Sequence, residues 1–131
     1  MLTIFEQIII GHLVGDYLLQ SKKMAIAKSD KTLNGWLWCL AHCVIYTLCI
    51  CLFTATTEPI KIILIFMSHF PVDHWSLAVK WLKIIKGRTF AKTMEPSNAL
   101  NVSDLSFTAI VYVVIDNTIH ILLMLIIFKY L

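Results

Sequence analysis

The sequence predicts an all-α fold: an integral membrane four-helix bundle with both termini external and two basic cytoplasmic connections. Three observations carry this. Hydrophobic residues make up 59% of the 131 and charged residues only 15%, against about 25% charged in soluble domains. Four apolar stretches each approach the ~20 residues that a membrane crossing needs. Lys and Arg gather in two of the connections between them, as the positive-inside rule requires of cytoplasmic loops. The length bounds a single transmembrane domain over residues 1–131. The net charge of +3 is modest; no nucleic-acid partner is expected, and the positive residues report on topology instead.

The first span is placed at 2–20. No Lys or Arg precedes it, and His12, Asp16 and Gln20 interrupt it, so it is taken as a retained helix rather than a cleaved signal peptide. The second span, 35–56, holds all four cysteines, Cys39, Cys43, Cys49 and Cys51. Their confinement to one apolar stretch argues for small core side chains rather than a disulfide framework. The third span, 60–82, opens after Pro59. The fourth, 105–130, follows Ser103 and Asp104 as candidate N-caps. Residues 84–100, mixed polar and apolar, are left as an interfacial segment or a loop.

Lys22, Lys23, Lys28 and Lys31 lie in connection 21–34; Lys83, Lys86, Arg88 and Lys92 lie in 83–104, with Lys80 just before it. Nine of the eleven basic residues therefore flank one side. Trp36, Trp38, Trp75 and Trp81 fit interfacial anchoring in part.

Three aspartates lie inside the spans. At about +2.5 to +3.5 kcal/mol each near the bilayer centre, Asp16, Asp73 and Asp116 cost on the order of 8–10 kcal/mol unless something offsets them. Each has a histidine four residues away: His12–Asp16, His69–Asp73 and Asp116–His120. That spacing puts both members on one helix face. The order reverses in the fourth span, which runs the opposite way. All three aspartates thus fall nearer the cytoplasm, and all three histidines one turn, about 6 Å, further out. His42, in the second span, falls near the aspartate layer. His12, Asp16, His42, His69, Asp73, Asp116 and His120 can therefore converge as a divalent-metal site. Mixed His and carboxylate ligands suit zinc first, then manganese or iron. Seven ligands are more than one tetrahedral ion needs, so two ions ~3.5–4 Å apart are also open. A purely structural His–Asp network and a proton or ion path remain the alternatives.

Asp16 and Gln20 are the candidate catalytic residues. Asp16, near the cytoplasmic mouth, is the candidate general base, and Gln20, one turn further, can orient a polar headgroup. His74 points about 100° from Asp73 and is expected to be a peripheral hydrogen bonder. Cys39 is a lesser ligand candidate. Asn117 is expected to bond between helices. Lys80 can snorkel to headgroups or meet an anionic substrate.

The run from Gly11-His12 through Asp16 to Gln20 resembles the H-x-x-x-D-x-x-x-Q opening of the domain of unknown function 3307 family, small membrane proteins of bacteria and phages. Ala41-His42, Ser68-His69-Phe70-Pro71-Val72-Asp73 and Asp116-Asn117-Thr118-Ile119-His120 resemble its later blocks. The resemblance implies a bacterial inner-membrane setting but no activity. More distantly, the intramembrane His and Asp pairs are similar to those of membrane-bound metal-dependent hydrolases, an analogy of site rather than of fold. The expected function is a membrane-embedded metal-binding protein, a metal-dependent hydrolase acting on a lipid or phosphoester at the cytoplasmic leaflet. The alternatives are a divalent-ion or proton transport component, or a phage or host membrane interaction protein with a structural His/Asp network. The expected partners are membrane lipids, a divalent ion and, for a transport pathway, a second copy of the chain.

Overall fold

A computed structural model describes residues 1–93 and 100–131, all helical or loop with no strand among them. Helix α1, Ile4–Leu13, starts at a capping box: Thr3 Oγ1 accepts from the Glu6 amide, and the Glu6 carboxylate accepts from the Thr3 amide at 2.7 Å. It runs directly into a π turn, Val14–Leu18, closed by the Leu19 amide on the Val14 carbonyl at 3.0 Å. The first apolar stretch is therefore helical over 4–18, shorter than the 2–20 expected. At 1.5 Å per residue it is about 22 Å long.

Helix α2, Lys22–Ala27, is capped by Ser21 and buries Met24. It occupies the first basic connection. Helix α3, Leu33–Thr54, starts at Thr32, whose hydroxyl accepts from the Gly35 amide at 3.2 Å. A Cβ on Gly35 would lie 2.1 Å from the Asp30 carbonyl oxygen, so only glycine lets the connection fold back here. The buried stripe of α3 includes Cys39, His42, Cys43, Tyr46, Cys49 and Ile50, spaced at the helical period. The cysteines are free thiols, three of them buried.

Helix α4, Pro59–His74, opens with proline in its first turn. The third apolar stretch does not continue straight to 82. It breaks at Trp75–Ser76, and α5, Leu77–Lys86, leaves at 56° to α4. Pro71 removes a backbone donor inside the last turns of α4, and Ser76 takes a left-handed conformation at φ 48. Helix α5 stops at Gly87, φ 62. Helix α6, Phe90–Thr93, is a single turn. The expected interfacial segment or loop over 84–100 is thus helical in α5 and α6, and 94–99 lie outside the described residues. Helix α7, Leu100–Tyr130, begins before the predicted caps. Ser103 and Asp104 lie within it. Asp104 is engaged by the Arg88 guanidinium, which also donates to Thr108 Oγ1 at 3.1 Å.

Helix α1 packs against α3 and α7, α3 against α4, and α4 and α5 against α7, while α2 lies on α3. The approach of α1 to α3 rests on two glycines. A Cβ on Gly11 would lie 3.2 Å from Ile50 Cα, and one on Gly15 would lie 3.2 Å from Tyr46 Cα. Their four-residue spacing is the small-residue pattern that lets membrane helices approach closely. Ile8, Tyr46, Ile50, Ile65, Met124 and Ile127 form a buried apolar cluster. The outer surface is also apolar: Leu37, Val44, Leu48, Leu52, Leu122 and Ile126 are all exposed. The interior instead holds His12, His42, His69, His120, Asp16 and Asp73. Apolar outside and polar within is the distribution of a protein solvated by lipid. Helices α3 and α7 are long and apolar enough to cross a membrane, and α4 with α5 makes a third span if the bent pair counts as one.

Candidate metal centre

Asp16 comes from the π turn, His42 from α3, and His69 and Asp73 from one face of α4. Their side chains meet at a point. His42 Nε2 lies 3.0 Å from Asp16 Oδ1, 3.0 Å from Asp73 Oδ2 and 3.1 Å from His69 Nε2. His69 Nε2 lies 3.2 Å from Asp73 Oδ2 and 3.5 Å from Asp16 Oδ1. One ligand atom from each of the four residues lies within 4.8 Å of every other. Tyr46 stacks on the His69 ring at 3.6 Å and fixes its plane.

A neutral imidazole nitrogen carries at most one proton and can donate to one acceptor. Here two such nitrogens and two carboxylate oxygens crowd together. Both Asp16 oxygens, His42 Nδ1 and His69 Nδ1 are buried with no hydrogen-bond partner among the protein atoms described. Each unmet buried group costs about 1–3 kcal/mol. A cation facing all four ligands removes the mutual repulsion. The spacing fits one. A tetrahedral ion with bonds of about 2.0–2.1 Å sets its ligands about 3.3–3.4 Å apart, and the five separations above run from 3.0 to 3.5 Å. Two Asp and two His suit a borderline divalent ion such as zinc.

A second group shares Asp16 and adds Asp116 and His120 from α7. His120 is fully buried, and neither of its ring nitrogens has a hydrogen-bond partner among the described atoms. Its Nε2 lies 3.5 Å from Asp73 Oδ1 and 3.9 Å from Asp116 Oδ1.

His12 joins neither group. Asn117 Nδ2 donates to the Val113 carbonyl, an acceptor only, at 2.6 Å, so its Oδ1 faces His12 Nε2, also at 2.6 Å. His12 Nε2 is thereby the protonated nitrogen. Its Nδ1 presents a lone pair to the Tyr46 hydroxyl at 3.3 Å and lies 3.2 Å from Asp16 Oδ2. Gln20 reaches the cluster, with its amide nitrogen 2.9 Å from His42 Nε2. Asn117 also donates to the Tyr17 hydroxyl, and so bonds between helices as expected. Cys39 is buried but belongs to neither ligand group.

Lys28 is the residue that sequence reasoning missed. It follows α2 and sets its ammonium 2.8 Å from Asp73 Oδ2. Burial opposes its charge, but Asp73, with Asp16 and Asp116 behind it, holds its pKa above the ordinary lysine value. Its backbone carbonyl accepts from His74 Nδ1 at 3.1 Å. His74 itself sits outside the cluster, its ring against Trp36 and Phe70, in keeping with the peripheral role expected of it. Lys80 is exposed on α5. The signal for Lys28 was present: Met24 and Lys28 are four apart behind a serine cap, so a short helix turns both inward.

Two clefts reach this cluster, of about 220 and 240 Å³. Lys28, Tyr112 and Asp116 line both; Asp73 lines one, and Asp16 and Gln20 the other. Ala25 of α2 lines both.

Fold and site together give a chain with helices long and apolar enough to cross a membrane, whose interior brings Asp and His side chains into groups that could hold a metal ion. The chain belongs to the family described as protein of unknown function (DUF3307), whose profile matches residues 4–131. No curated protein and no solved structure matches it.

Proposed function

We propose that the chain is a four-helix bundle of the bacterial inner membrane that binds a divalent ion, zinc first, and hydrolyses a lipid or phosphoester at the cytoplasmic leaflet. In this reading α1 with its π turn and the α4–α5 pair complete the four spans, connections 21–34 and 83–104 are cytoplasmic, and both termini are external. The observation that carries the metal is the convergence of Asp16, His42, His69 and Asp73, with five of their six ligand-atom separations between 3.0 and 3.5 Å. Charge supports one resident ion. Asp16, Asp73 and Asp116 carry three negative charges, the Lys28 ammonium cancels one, and a divalent ion cancels the other two. A low-dielectric interior favours such neutrality.

A divalent ion held within this His and Asp cluster would supply Lewis acidity to a carbonyl or phosphoryl oxygen. The chain supplies the proton path. Asp16 Oδ2 and His12 Nδ1 face each other with lone pairs at 3.2 Å, which makes a place for one proton. The Asp16–His12 pair takes the proton of an attacking water, holds it at His12 Nδ1 and returns it to the leaving oxygen. The bond from His12 Nε2 to Asn117 keeps Nδ1 unprotonated, and Nδ1 can exchange the Tyr46 hydroxyl for this proton. Gln20, at the cleft, orients the polar group of the substrate.

A transport role draws support from the break in the third apolar stretch beside Asp73, since broken helices mark transporter sites. Against it, Ala25 of α2 lines both clefts, whereas Ile8, Tyr46, Ile50, Ile65 and Met124 pack together as an apolar core. The test is elemental analysis of detergent-purified protein, followed by hydrolysis of phosphoesters and lipids with and without chelator. Zinc near one per chain with chelator-sensitive turnover supports the enzyme. A metal-replete, monodisperse protein inert across those substrates favours the ion site, and a metal-free, stable protein favours a structural network.

A further inference from the structure

The four-ligand group is a closed site. Four protein ligands complete a tetrahedral ion and leave no position for substrate, whereas catalytic sites keep one open. The group of Asp16, Asp116 and His120 has three ligands and so leaves a position open. Asp116 lines both clefts with its side chain 16% exposed. His120 is fully buried, and both of its ring nitrogens lack a partner among the described atoms. With the first ion in place the cluster is neutral, so a second divalent ion would leave two positive charges in a low-dielectric interior. A dianion would cancel them. The clefts offer it Lys28 and the Tyr112 side chain, and their volume equals roughly seven waters.

We propose that Asp16, Asp116 and His120 form a second divalent-cation site that fills together with a phosphomonoester, which bridges that ion and the Lys28 ammonium. This rests on the metal-dependent reading above and names its substrate class. Anion and second ion then bind cooperatively, and linkage makes the effect reciprocal: phosphate tightens the second ion as much as the second ion tightens phosphate. The phosphoryl group can belong to a lipid headgroup or to a soluble ester.

The test uses the full chain in detergent and inorganic phosphate as probe. Zinc per chain is measured after equilibration and gel filtration, with and without phosphate in the buffer, and phosphate affinity is measured by calorimetry. The expected result is one zinc without phosphate and two with it. Asp116→Asn should stay at one in both conditions and bind phosphate at least tenfold more weakly. Lys28→Met, outside both ligand groups, should keep its first zinc and also lose at least tenfold in phosphate affinity. Repeating the zinc count with a phosphomonoester lipid in mixed micelles and with a soluble phosphomonoester identifies the source, as the one that loads the second ion at the lower concentration. Two zincs without phosphate, one zinc regardless of phosphate, or variants that bind phosphate like wild type overturn the inference and leave the first site standing. A wild type that holds no zinc overturns both.

Discussion

Asp73→Asn separates the ion pair from the metal. The substitution keeps the shape of the side chain and removes one negative charge. Its first effect is on Lys28, whose ammonium lies 2.8 Å from Asp73 Oδ2 with the two side chains 13% and 2% exposed. Leaving one charge of a buried pair without its partner costs about 3–5 kcal/mol. The asparagine oxygen still accepts a hydrogen bond and Lys28 keeps some solvent, so the lower end applies. About 3 kcal/mol is roughly a 150-fold shift in the unfolding equilibrium. Its second effect is on the ion. Free zinc at 100 times its dissociation constant stabilises the wild type by about 2.7 kcal/mol, and the variant forfeits this with a quarter of its ligand set. Lys28→Met/Asp73→Asn removes the stranded ammonium as well. It should recover most of the ~3 kcal/mol but none of the zinc. The assay is unfolding in detergent, with and without zinc, followed by far-UV circular dichroism, alongside elemental analysis. A double variant as unstable as Asp73→Asn would refute the ion-pair reasoning, and Asp73→Asn holding wild-type zinc would refute the ligand assignment.

Further outcomes follow from the same geometry. Gly15→Ala places a Cβ about 3.1–3.2 Å from Tyr46 atoms, including its backbone Cα; overpacking of this kind costs about 1–3 kcal/mol, and because Asp16 is the next residue, zinc affinity should fall at least tenfold. His74→Phe keeps a ring against Trp36 and Phe70 and loses only the bond to the Lys28 carbonyl, so stability should fall by about 1 kcal/mol with zinc content unchanged. Because the folded-state pKa of Lys28 is raised, the stability that its charge confers is fully present below the ordinary lysine value of about 10.4 and is lost only as pH rises through the higher folded value; the stability gap between wild type and Lys28→Met should therefore be equal at pH 6.5 and pH 9. In a cysteine-free background, an impermeant thiol reagent outside intact cells should label a cysteine at Leu131 and not one at Ser29 or Lys86; the reverse pattern would invert the helix directions and place the clefts on the external face.

The His–Asp pairs were legible because a spacing of four fixes a shared helix face whatever the tertiary packing. Their exact heights were not. The predicted layers place His42 with the carboxylates but His69 one turn away, yet His69 Nε2 reaches the same point as the Asp16 and Asp73 oxygens. An imidazole is long enough to span much of a turn, so side-chain reach overrides Cα height. The π turn over Val14–Leu18 has no signature in the sequence. Pro71 marked the weakness in the third stretch, but the left-handed Ser76 that completes the break has no sequence signature. Ser103 and Asp104 looked like caps, and Arg88, sixteen residues before Asp104, engages the carboxylate instead. Lys28 disappeared into a count of basic residues. The positive-inside rule explains a lysine by its side of the membrane, and that sufficient explanation concealed a second one.

The cost of the cluster decides between a structural and a functional purpose. If the proposed four spans hold, three carboxylates at bilayer depth cost on the order of 8–10 kcal/mol, comparable to the whole stability of a typical domain of about 5–15 kcal/mol. A structural network offsets such a cost by giving each polar atom a donor or acceptor. This cluster does so at its edges, where Asn117 holds His12 and Lys28 holds Asp73. At its centre it leaves both Asp16 oxygens and both His120 nitrogens without hydrogen-bond partners among the described atoms. A network built to stabilise would be satisfied at the centre and frayed at the rim. Unmet carboxylate oxygens and an unmet imidazole at the point of convergence favour the proposed metal reading over a purely structural network.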